Sequence, residues 1–558
     1  MSRFNTRDAR PAGTSPIATT GKTASTAEGA TGYLRDEKSE LFLLAVSNFV
    51  GTNTFYEDAA ARDGRFEALV RQLAVADPAW TAGLLGWLRG EGNMRTASLV
   101  GAAEFVHARL QGDKSGDPAG WNRETAEQAT VAGGWNRRVV ASVLQRADEP
   151  GEFLGYWTFK YGRRLPKPVK RGIEDALGRL YTERALLKYD TASKGYRFGD
   201  VIELVHPKPA KVWQGDLFKH AIDRRHGRGD EPPLSLPLLQ TRAAIAEWDV
   251  EKRRAAVSRP DAAEFLNHAG MTWEALAGWL QGPMDATAWE AIIPSMGLMA
   301  LVRNLRNFDE AGVSDEVAAQ VAARIANADE VARSRMFPFR FWAAYKHAPS
   351  LRWAHALEQA LGHSLASVPA LDGRTLILVD RSPSMFPGYF FSTANKSDIP
   401  LAEQAALFGS ALALRAAAPT LVEFGMRSNE VQVPKGGSML RLTEAFDQID
   451  GTDIPSAVKR HFFGHDRVVI VTDEQTRPGW LPSNASYHGG MPETHINDLI
   501  PKSVPVYMWN MAGYRAGAMS SGGANRHTMG GLGDAAFRAI PLLEAGRDAH
   551  WPWENQRA

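Results

Sequence analysis

Three oxygen-bearing side chains on alternate residues are the first sign of chemistry in this sequence. Asp380 ends the apolar run RTLILVD, and Ser382 and Ser384 follow it. One carboxylate and two hydroxyls in the turn after a strand can converge on a single point. Hard oxygen ligands of this kind suit Mg²⁺, which keeps several of its waters. We therefore predict that Mg²⁺ or another divalent cation binds at this turn.

Two more oxygens would complete the cation site. Thr452 lies in the segment GTDIPSA, and Asp473 ends the apolar run RVVIVTD. The alternative is that the aspartates only cap loops and neighbouring helices. Because both aspartates follow short β-branched runs, the cation site is favoured. Two neighbouring residues would weaken it: Arg381 if its side chain points inward, and Asp453 if it competes as a ligand.

These residues lie in the last third of the chain, from about Arg374 onward. Helical stretches such as LAEQAALFGSALALRAAA alternate there with short apolar runs, namely RTLILVD, PTLVEFG, RVVIVTD and SVPVYMWN. Strands that are apolar on both faces imply a mostly parallel, Rossmann-like sheet with helices on both sides. Such sheets bind ligands outside the carboxyl ends of their strands. The pattern therefore predicts an α/β domain over residues 371–558, with Asp380 and Asp473 at its binding edge.

The sequence before this domain is helical almost throughout. Between about Tyr33 and Ser350, segments such as SELFLLAVSNFV and TASLVGAAEFVHARL place apolar residues at helical spacing. Short breaks rich in Gly, Asp and Pro separate these segments, which is typical of stacked helix pairs in an α-solenoid. An irregular globular helical domain is the alternative, because no fixed-length repeat is visible. We expect a multidomain protein, α followed by α/β.

The composition excludes several classes of protein. A chain of 558 residues is too long for one hydrophobic core. It has no cysteine, which excludes disulfides and thiolate metal sites and fits a reducing cytoplasm. No apolar run is long enough to predict a membrane span. Residues 1–31 are rich in Thr, Ala, Ser and Gly, so they are predicted to form a disordered N-terminal arm.

A second candidate site is a basic and aromatic stretch between residues 153 and 173, which contains no acidic residue. Its positive charges are Lys160, Arg163, Arg164, Lys167, Lys170 and Arg171. The aromatic residues that precede or interleave with them are Tyr156, Trp157, Phe159 and Tyr161. Phosphates attract the cations and unpaired bases stack on aromatic faces, so the stretch predicts an RNA surface. A solvated basic loop over buried aromatic residues is the alternative.

Several segments together resemble the TROVE family, which comprises the Ro autoantigen and its bacterial orthologues. The segments of the helical half are EGNMRTASLV, RMFPFRFWAAYK and DVIELVHPKP, and those of the last third are GTDIPSAV and VVIVTDEQT. The five predicted cation ligands also resemble the metal-ion-dependent adhesion site of von Willebrand factor A domains. The resemblance covers nearly the whole chain from about Gly32.

The resemblance implies a ring of irregular HEAT-like repeats over residues 32–370, closed by a von Willebrand factor A-like domain over residues 371–558. It implies an RNA-binding protein of Ro type. The outer surface of such a ring binds small noncoding Y-like RNAs, and its central hole takes the single-stranded 3′ ends of misfolded RNAs. Polynucleotide phosphorylase, an exoribonuclease, is the implied protein partner, and we expect a cytoplasmic protein with no membrane partner.

The resemblance also assigns RNA contacts to particular residues. Lys170 and Arg171 open the helix that is similar to the family's basic RNA-contacting helix. The positions that follow in register are Lys188, His206 and Lys208. Where many Ro proteins have a histidine in the loop after that helix, this chain has Phe198. Y RNA binding is therefore expected to differ from the family's pattern at this position.

Two functions remain open at this stage. The first is an RNA scaffold that acts in RNA quality control or processing. The second is a protein-interaction module in which the cation coordinates a carboxylate of a partner protein. An enzyme is not expected, because the sequence offers no nucleophile and general base in the order that a hydrolase needs.

Overall fold

A computed structural model describes residues 13–47, 53–112, 134–228, 231–348, 350–386, 399–434, 437–478 and 493–554. The chain divides into two compact units. The helical unit comprises residues 70–335 and 344–356, and the α/β unit comprises residues 1–69, 336–343 and 357–558. The predicted boundaries are thus corrected, because the described residues between 13 and 69 belong to the α/β unit and not to the helical array.

The helices in the first part of the chain are α1 (Glu37–Ser47), α2 (Ala59–Ala76), α3 (Pro78–Gly90), α4 (Arg95–Gly112), α5 (Gly134–Val143), α6 (Glu149–Tyr161), α7 (Lys167–Leu180), α8 (Glu183–Tyr189), α9 (Phe198–Val205), α10 (Val212–Arg225), α11 (Pro237–Ala246), α12 (Val250–Val257) and α13 (Ala262–His268). Those that follow are α14 (Trp273–Leu280), α15 (Ala286–Ile292), α16 (Leu298–Arg303), α17 (Leu305–Ala311), α18 (Asp315–Ile325), α19 (Ala328–Ser334), α20 (Pro338–His347), α21 (Ala354–Ser364), α22 (Leu401–Arg415), α23 (Met439–Glu444), α24 (Ile454–His461), α25 (Ile496–Leu499) and α26 (Ala539–Glu544). None of the described helices is both long enough and apolar enough to cross a bilayer.

The helical unit is built from short helices that pack mainly on helices close to them in sequence. Side-chain caps begin several of these helices; Thr182, for example, accepts a hydrogen bond from the amide of Ala185 at the start of α8. The two ends of the array also meet. Arg335, after α19, donates a hydrogen bond to the carbonyl of Gly90 (2.7 Å) and accepts one from Nδ2 of Asn93 (3.0 Å). The expectation of stacked helices is therefore confirmed.

The α/β unit contains two sheets. Their strands are β1 (Thr19–Ser25), β2 (Thr31–Arg35), β3 (Leu371–Asp380), β4 (Ala416–Phe424), β5 (Ser428–Glu430), β6 (Arg467–Thr472), β7 (Val506–Asn510), β8 (Ala516–Gly517) and β9 (Arg526–Gly530). The large sheet has the order β5-β4-β3-β6-β7-β9, and every pairing in it is parallel except that of β4 with β5. The small sheet has the order β1-β2-β8 and is antiparallel. The predicted mostly parallel sheet is confirmed.

The core of the large sheet follows from its apolar strands. All six residues of β6 are buried, as are all five of β7. Side chains of β3, β6 and β7 pack against α24 and α25 on one face, and α22 contacts β3 and β4. Because both faces are covered, polar side chains reach solvent or a ligand mainly where the strands end.

The N-terminal segment is folded onto this unit from residue 13, which corrects the predicted disordered arm; residues 1–12 lie outside the described residues. Besides the strand pairing of β1 and β2, Thr26 donates a hydrogen bond to the carbonyl of Thr476 (2.7 Å). The amide of Ala27 donates to Oε1 of Gln475 (2.9 Å). Composition suggested disorder because the segment is poor in apolar residues. Its order instead comes from strand pairing and from hydrogen bonds between side chains and backbone that reach residues more than 400 positions away.

Arg35, the last residue of β2, anchors the segment. Its NH2 lies 2.5 Å from Oε1 of Glu474, and the two side chains are 1% and 0% exposed. Glu474 also accepts hydrogen bonds from Nδ2 of Asn510 and the amide of Ala518, each at 2.9 Å. This buried ion pair therefore fixes the loop that follows β6.

We predict that Arg35→Gln destabilises the α/β unit by about 3–5 kcal/mol, because it leaves Glu474 as a buried carboxylate without its cation. Urea unfolding followed by tryptophan fluorescence measures the loss. Arg306→Gln is the matched control: its ion pair with Glu310 is exposed (72% and 56%), so its loss should be about 1 kcal/mol or less. Equal stability of the two variants would contradict an anchoring role for Arg35.

Candidate functional site

The pairing of β3 with β6 brings the two predicted aspartates together. The strands are parallel and adjacent, with Val379 opposite Val471, so Asp380 and the residues after β6 reach the same edge of the sheet. The Thr472 hydroxyl donates a hydrogen bond to Oδ2 of Asp380 (2.5 Å). From β3 the chain runs to β4 on one side and later to β6 on the other, and a parallel sheet opens a crevice at such a switch point.

The two serines of the predicted site lie in the tight turn after β3. The amide of Ser382 donates to Oδ1 of Asp380 (2.9 Å), and the hydroxyls of Ser382 and Ser384 are 3.1 Å apart. Asp380 and Ser382 are fully buried, and Ser384 is 3% exposed. The turn thus gathers one carboxylate and two hydroxyls, as the spacing predicted.

Asp473 carries an oxygen that the protein does not satisfy. Its Oδ1 accepts a hydrogen bond from the amide of Gln475 (3.0 Å), whereas its Oδ2 is buried and has no hydrogen-bond partner in the described structure. Leaving a buried carboxylate oxygen unpaired costs free energy unless a cation or a water satisfies it. The unpaired atom lies beside Asp380, where the predicted cation would bind.

Thr452 is held against the same loop. Its carbonyl accepts a hydrogen bond from the amide of Arg477 (2.9 Å), and its side chain is almost completely buried. Its neighbour Asp453 caps α24, because Oδ1 of Asp453 accepts from the amide of Ser456 (2.9 Å). That carboxylate has a structural role, so the structure does not support Asp453 as a competing ligand.

Arg381 is buried but directed away from the site. Its Nε and NH1 donate to the carbonyls of Asp447 and Ala402, each at 2.7 Å, and its NH2 lies 3.2 Å from Oε1 of Glu403. The guanidinium therefore joins the turn after β3 to α22. The expectation that Arg381 would enter the site and weaken cation binding is not supported.

The electrostatics of the site fit a bound cation. Burial raises the pKa of Asp380 above its usual range, and burial together with the charge of Asp380 raises the pKa of Asp473. Two buried carboxylates that repel each other can both ionise when a divalent cation lies between them. Among the described residues, no group of three His, Cys, Asp or Glu could hold a metal ion. A cation here would therefore need the serine and threonine hydroxyls as well as the two aspartates.

Two residues that the sequence did not suggest lie near this site: Tyr56, whose pKa is affected by Asp473, and Glu28, which binds Tyr56. The Tyr56 hydroxyl donates to Oε1 of Glu28 (2.6 Å), and Oε2 of Glu28 accepts from Nε of Arg477 (2.8 Å). Burial, the bond to Glu28 and the negative charge of Asp473 together raise the pKa of Tyr56 well above its usual value. No local pattern could have identified these residues, since they are more than 300 positions from the cation ligands they approach.

The second candidate site lies where α6 and α7 meet in the helical unit. Gly162, with φ +82°, ends α6 and turns the chain toward α7. Arg163, Arg164 and Lys167 are exposed or partly exposed and Lys170 is half-buried; we call these four residues the basic junction. None of the four forms a salt bridge with another residue in the part of the chain that the structure describes. Their charges are therefore available to an anionic ligand.

Lys160 differs from the basic junction. Its Nζ lies 2.9 Å from Oε1 of Glu104, whose side chain is fully buried in α4. The same oxygen accepts hydrogen bonds from the hydroxyls of Tyr156 and Tyr161, each at 2.6 Å. Lys160 and the two tyrosines thus satisfy a buried carboxylate between α4 and α6. Lys160 thus has a structural role in the helical unit, and its contact with RNA stays a prediction.

Glu174 joins two of the predicted RNA contacts. It accepts a hydrogen bond from NH1 of Arg171 (2.7 Å) and another from the amide of Lys208 (3.1 Å). Burial would raise the pKa of Glu174, but these hydrogen bonds outweigh it and keep the pKa below the usual value. The bridge holds the loop after α9 against the first turns of α7. Lys208 and the exposed His206, in the segment after α9, therefore lie close to α7.

The two remaining positions behave differently. Lys188 lies on α8 with its Nζ 5.2 Å from the ring centroid of Tyr189, and no described contact joins it to the Glu174 bridge. Phe198 begins α9 rather than lying in a loop, and it is buried with its ring stacked on Tyr181 (3.9 Å between centroids). Phe198 is therefore a packing residue that cannot reach a ligand on the surface.

We predict that Asp473→Asn abolishes cation binding at the predicted site. Wild-type protein should be stabilised by Mg²⁺ by about 2.7 kcal/mol when the free cation is about 100 times its Kd, whereas the variant should not respond. Titration calorimetry and thermal unfolding with and without Mg²⁺ measure the effect. Asp498→Asn, which changes an aspartate of the same unit outside the site, is the control. Equal Mg²⁺ responses in all three proteins would exclude a cation at Asp473.

Two comparisons with known proteins bear on this arrangement. Residues 269–372 match the model of the TROVE domain. The crystal structure of the Deinococcus radiodurans Ro (RSR) protein superimposes with a TM-score of 0.58 at 15% sequence identity, covering 92% of this chain and 100% of that one. The matched segment contains neither the cation ligands nor the basic junction, so both assignments depend on their own geometry. Residues 269–372 are therefore similar to the TROVE domain, and the chain has a fold similar to that of the Deinococcus radiodurans Ro protein.

Proposed function

We propose that this chain is an RNA-binding protein and that the basic junction is part of its RNA surface. The observation that carries the proposal is the group of cations between α6 and α7 that have no acidic partner among the described residues. Many charged side chains on the helical unit are paired locally, as Lys219 is with Asp223. Unpaired cations that are close together in sequence release counterions from a phosphate backbone when they bind it.

The position of these cations on α7 strengthens the case. Lys167 and Lys170 lie in the first turn, where the helix dipole disfavours positive charge, and that turn has no acidic residue. Pro168 has no N–H and the amide of Lys170 donates to the carbonyl of Pro166 (3.1 Å), so the N–H groups of Lys167 and Val169 are those of this turn that can favour an anion. Cations at this end of a helix oppose its stability unless an anion is bound there. A phosphate group would satisfy both the side chains and the helix end.

The RNAs proposed are small noncoding Y-like RNAs and the single-stranded 3′ ends of misfolded RNAs. The protein would act without catalysis, in the cytoplasm, as a scaffold that can deliver RNA to an exoribonuclease such as polynucleotide phosphorylase. The TROVE match and the Ro fold support this assignment. Arg171 and Lys208, which the Glu174 bridge joins, and the exposed His206 would extend the surface from the basic junction toward α9.

A second function is favoured by the predicted cation site. The predicted site offers a cation the unpaired Oδ2 of Asp473 and four other side chains, one fewer than the six ligands of octahedral Mg²⁺. Divalent cations of this kind keep open positions for waters or for an added oxygen. A carboxylate from a partner protein could fill such a position. The RNA surface and this capture site lie on different units and are separable by mutation.

We predict that Lys167→Gln with Lys170→Gln weakens RNA binding and lowers its salt dependence. The slope of log K against log salt should fall by about 0.7–0.9 for each phosphate that the variant no longer neutralises. Fluorescence anisotropy with a labelled structured RNA at several salt concentrations measures both quantities. Lys219→Gln, which removes an exposed but paired lysine of the same unit, should leave affinity and slope unchanged. Wild-type values in the double variant would remove the basic junction from the RNA surface.

We predict that Asp380→Asn abolishes Mg²⁺-dependent capture of protein partners from cell extract and leaves RNA affinity unchanged. The loss follows from the missing carboxylate, since a hydroxyl-rich site with one carboxylate holds a divalent cation weakly. Affinity purification with Mg²⁺ or with EDTA, followed by mass spectrometry, measures the capture. A set of partners that is the same in the variant, or in EDTA, would show that the predicted cation site is not a protein-interaction site.

A further inference from the structure

One aromatic side chain beside the basic junction has no place in the protein's core. The side chain of Phe159 on α6 is 92% exposed. The buried face of α6 carries Phe153, Leu154 and Trp157, which are at most 2% exposed. Phe159 is two positions after Trp157, which places it about 200° around the helix from that residue. It therefore points away from the packed face.

The residues around Phe159 distinguish it from an ordinary exposed apolar residue. Single apolar residues on a protein surface are common and by themselves indicate nothing. Phe159 differs because Arg163 and Arg164 follow it by four and five residues and have no acidic partner among the described residues. Four residues of chain span at most about 14 Å, so the ring and the guanidinium groups can contact one extended ligand.

The turn between them leaves room for that ligand. At Gly162 the backbone is left-handed (φ +82°), and a side chain built there would meet no atom within 4 Å. The neighbouring aromatic residues already have structural roles: Tyr156 and Tyr161 donate hydrogen bonds to Glu104, and Trp157 is buried in the core. Phe159 is thus the aromatic ring of the basic and aromatic stretch that remains available to a ligand.

We propose that Phe159 is a stacking platform for an unpaired base of single-stranded RNA, with Arg163 and Arg164 binding the adjoining phosphates. This inference deepens the proposed RNA function and depends on it. An unpaired base offers a flat apolar face to the ring, and its backbone offers anions to the arginines, so one ligand matches both features. A base inside a duplex is already stacked and paired and cannot use the ring in this way.

The test uses the full-length protein and two labelled probes, a single-stranded RNA of about 12 nucleotides and a blunt RNA duplex of the same sequence. Phe159→Ala should weaken binding of the single strand roughly 5- to 100-fold without changing the salt slope, because it removes stacking and no charge. Binding of the duplex should be unchanged. Phe159→Tyr keeps an aromatic face and should retain the affinity of wild type.

Leu234→Ala is the matched control, because Leu234 is a similarly exposed apolar residue (88%) of the same unit that lies far from the basic junction in sequence. It should not change binding of either probe. Thermal unfolding verifies that each variant is folded, and the exposure of both side chains predicts no loss of stability. Replacing one nucleotide of the single strand by an abasic residue should reduce RNA affinity by a smaller factor in Phe159→Ala than in wild type.

The outcomes separate this inference from the proposed function. If wild type binds the single strand, Arg163→Gln with Arg164→Gln weakens that binding and Phe159→Ala does not, then the stacking role is overturned and RNA binding stands. If wild type binds neither probe, the proposed function itself fails. If Phe159→Ala releases a protein partner while RNA affinity is unchanged, the ring belongs to a protein interface and the inference is overturned.

Discussion

The structure of the predicted cation site depends on one constraint, which is that two buried carboxylates lie at adjacent strand ends and no arginine or lysine of the described residues pairs with either of them. The parallel pairing of β3 with β6 imposes their proximity. The nearby arginines are used elsewhere, since Arg35 pairs with Glu474 and Arg381 with Glu403. Hydrogen bonds offset only part of the repulsion and burial at Asp380 and Asp473, since the pKa of each stays raised, and the surrounding hydroxyls are ligands that a hard divalent cation prefers.

The helical unit resolves its charges in the opposite way around Glu104. That buried carboxylate forms an ion pair with Lys160 and accepts hydrogen bonds from Tyr156 and Tyr161. Part of the basic and aromatic stretch therefore stabilises the interior. What remains outside is the basic junction together with Phe159. The division explains how a stretch with no acidic residue of its own can both stabilise a helix pair and present an electropositive, aromatic surface. Glu104, which is distant in sequence, thus draws Lys160, Tyr156 and Tyr161 into the interior, while the basic junction and Phe159 stay on the surface.

Sequence patterns were reliable where the physical cause is local. The alternation of apolar runs and helices predicted the parallel sheet, and the turn Asp380-x-Ser382-x-Ser384 forms as expected because its members are two residues apart. The patterns were unreliable where the cause is distant. Low hydrophobicity predicted a disordered arm, yet residues 13–35 are ordered through Thr476, Gln475 and Glu474. Phe198 was placed in a surface loop, but Tyr181 holds it in the core.

The sequence by itself determined the two kinds of fold, the residue types of the cation site and the concentration of positive charge near α7. Periodicity and charge density depend on residues that are close together in the sequence, so they can be recognised without the structure. Only the tertiary structure decided which of those residues are free to bind. It paired Arg381 with α22 and Lys160 with Glu104, assigned Asp453 to a helix cap, and left Oδ2 of Asp473 and the ring of Phe159 without partners among the described residues. The physical reason is that a side chain's availability depends on its neighbours in space, and most of those neighbours are distant in sequence.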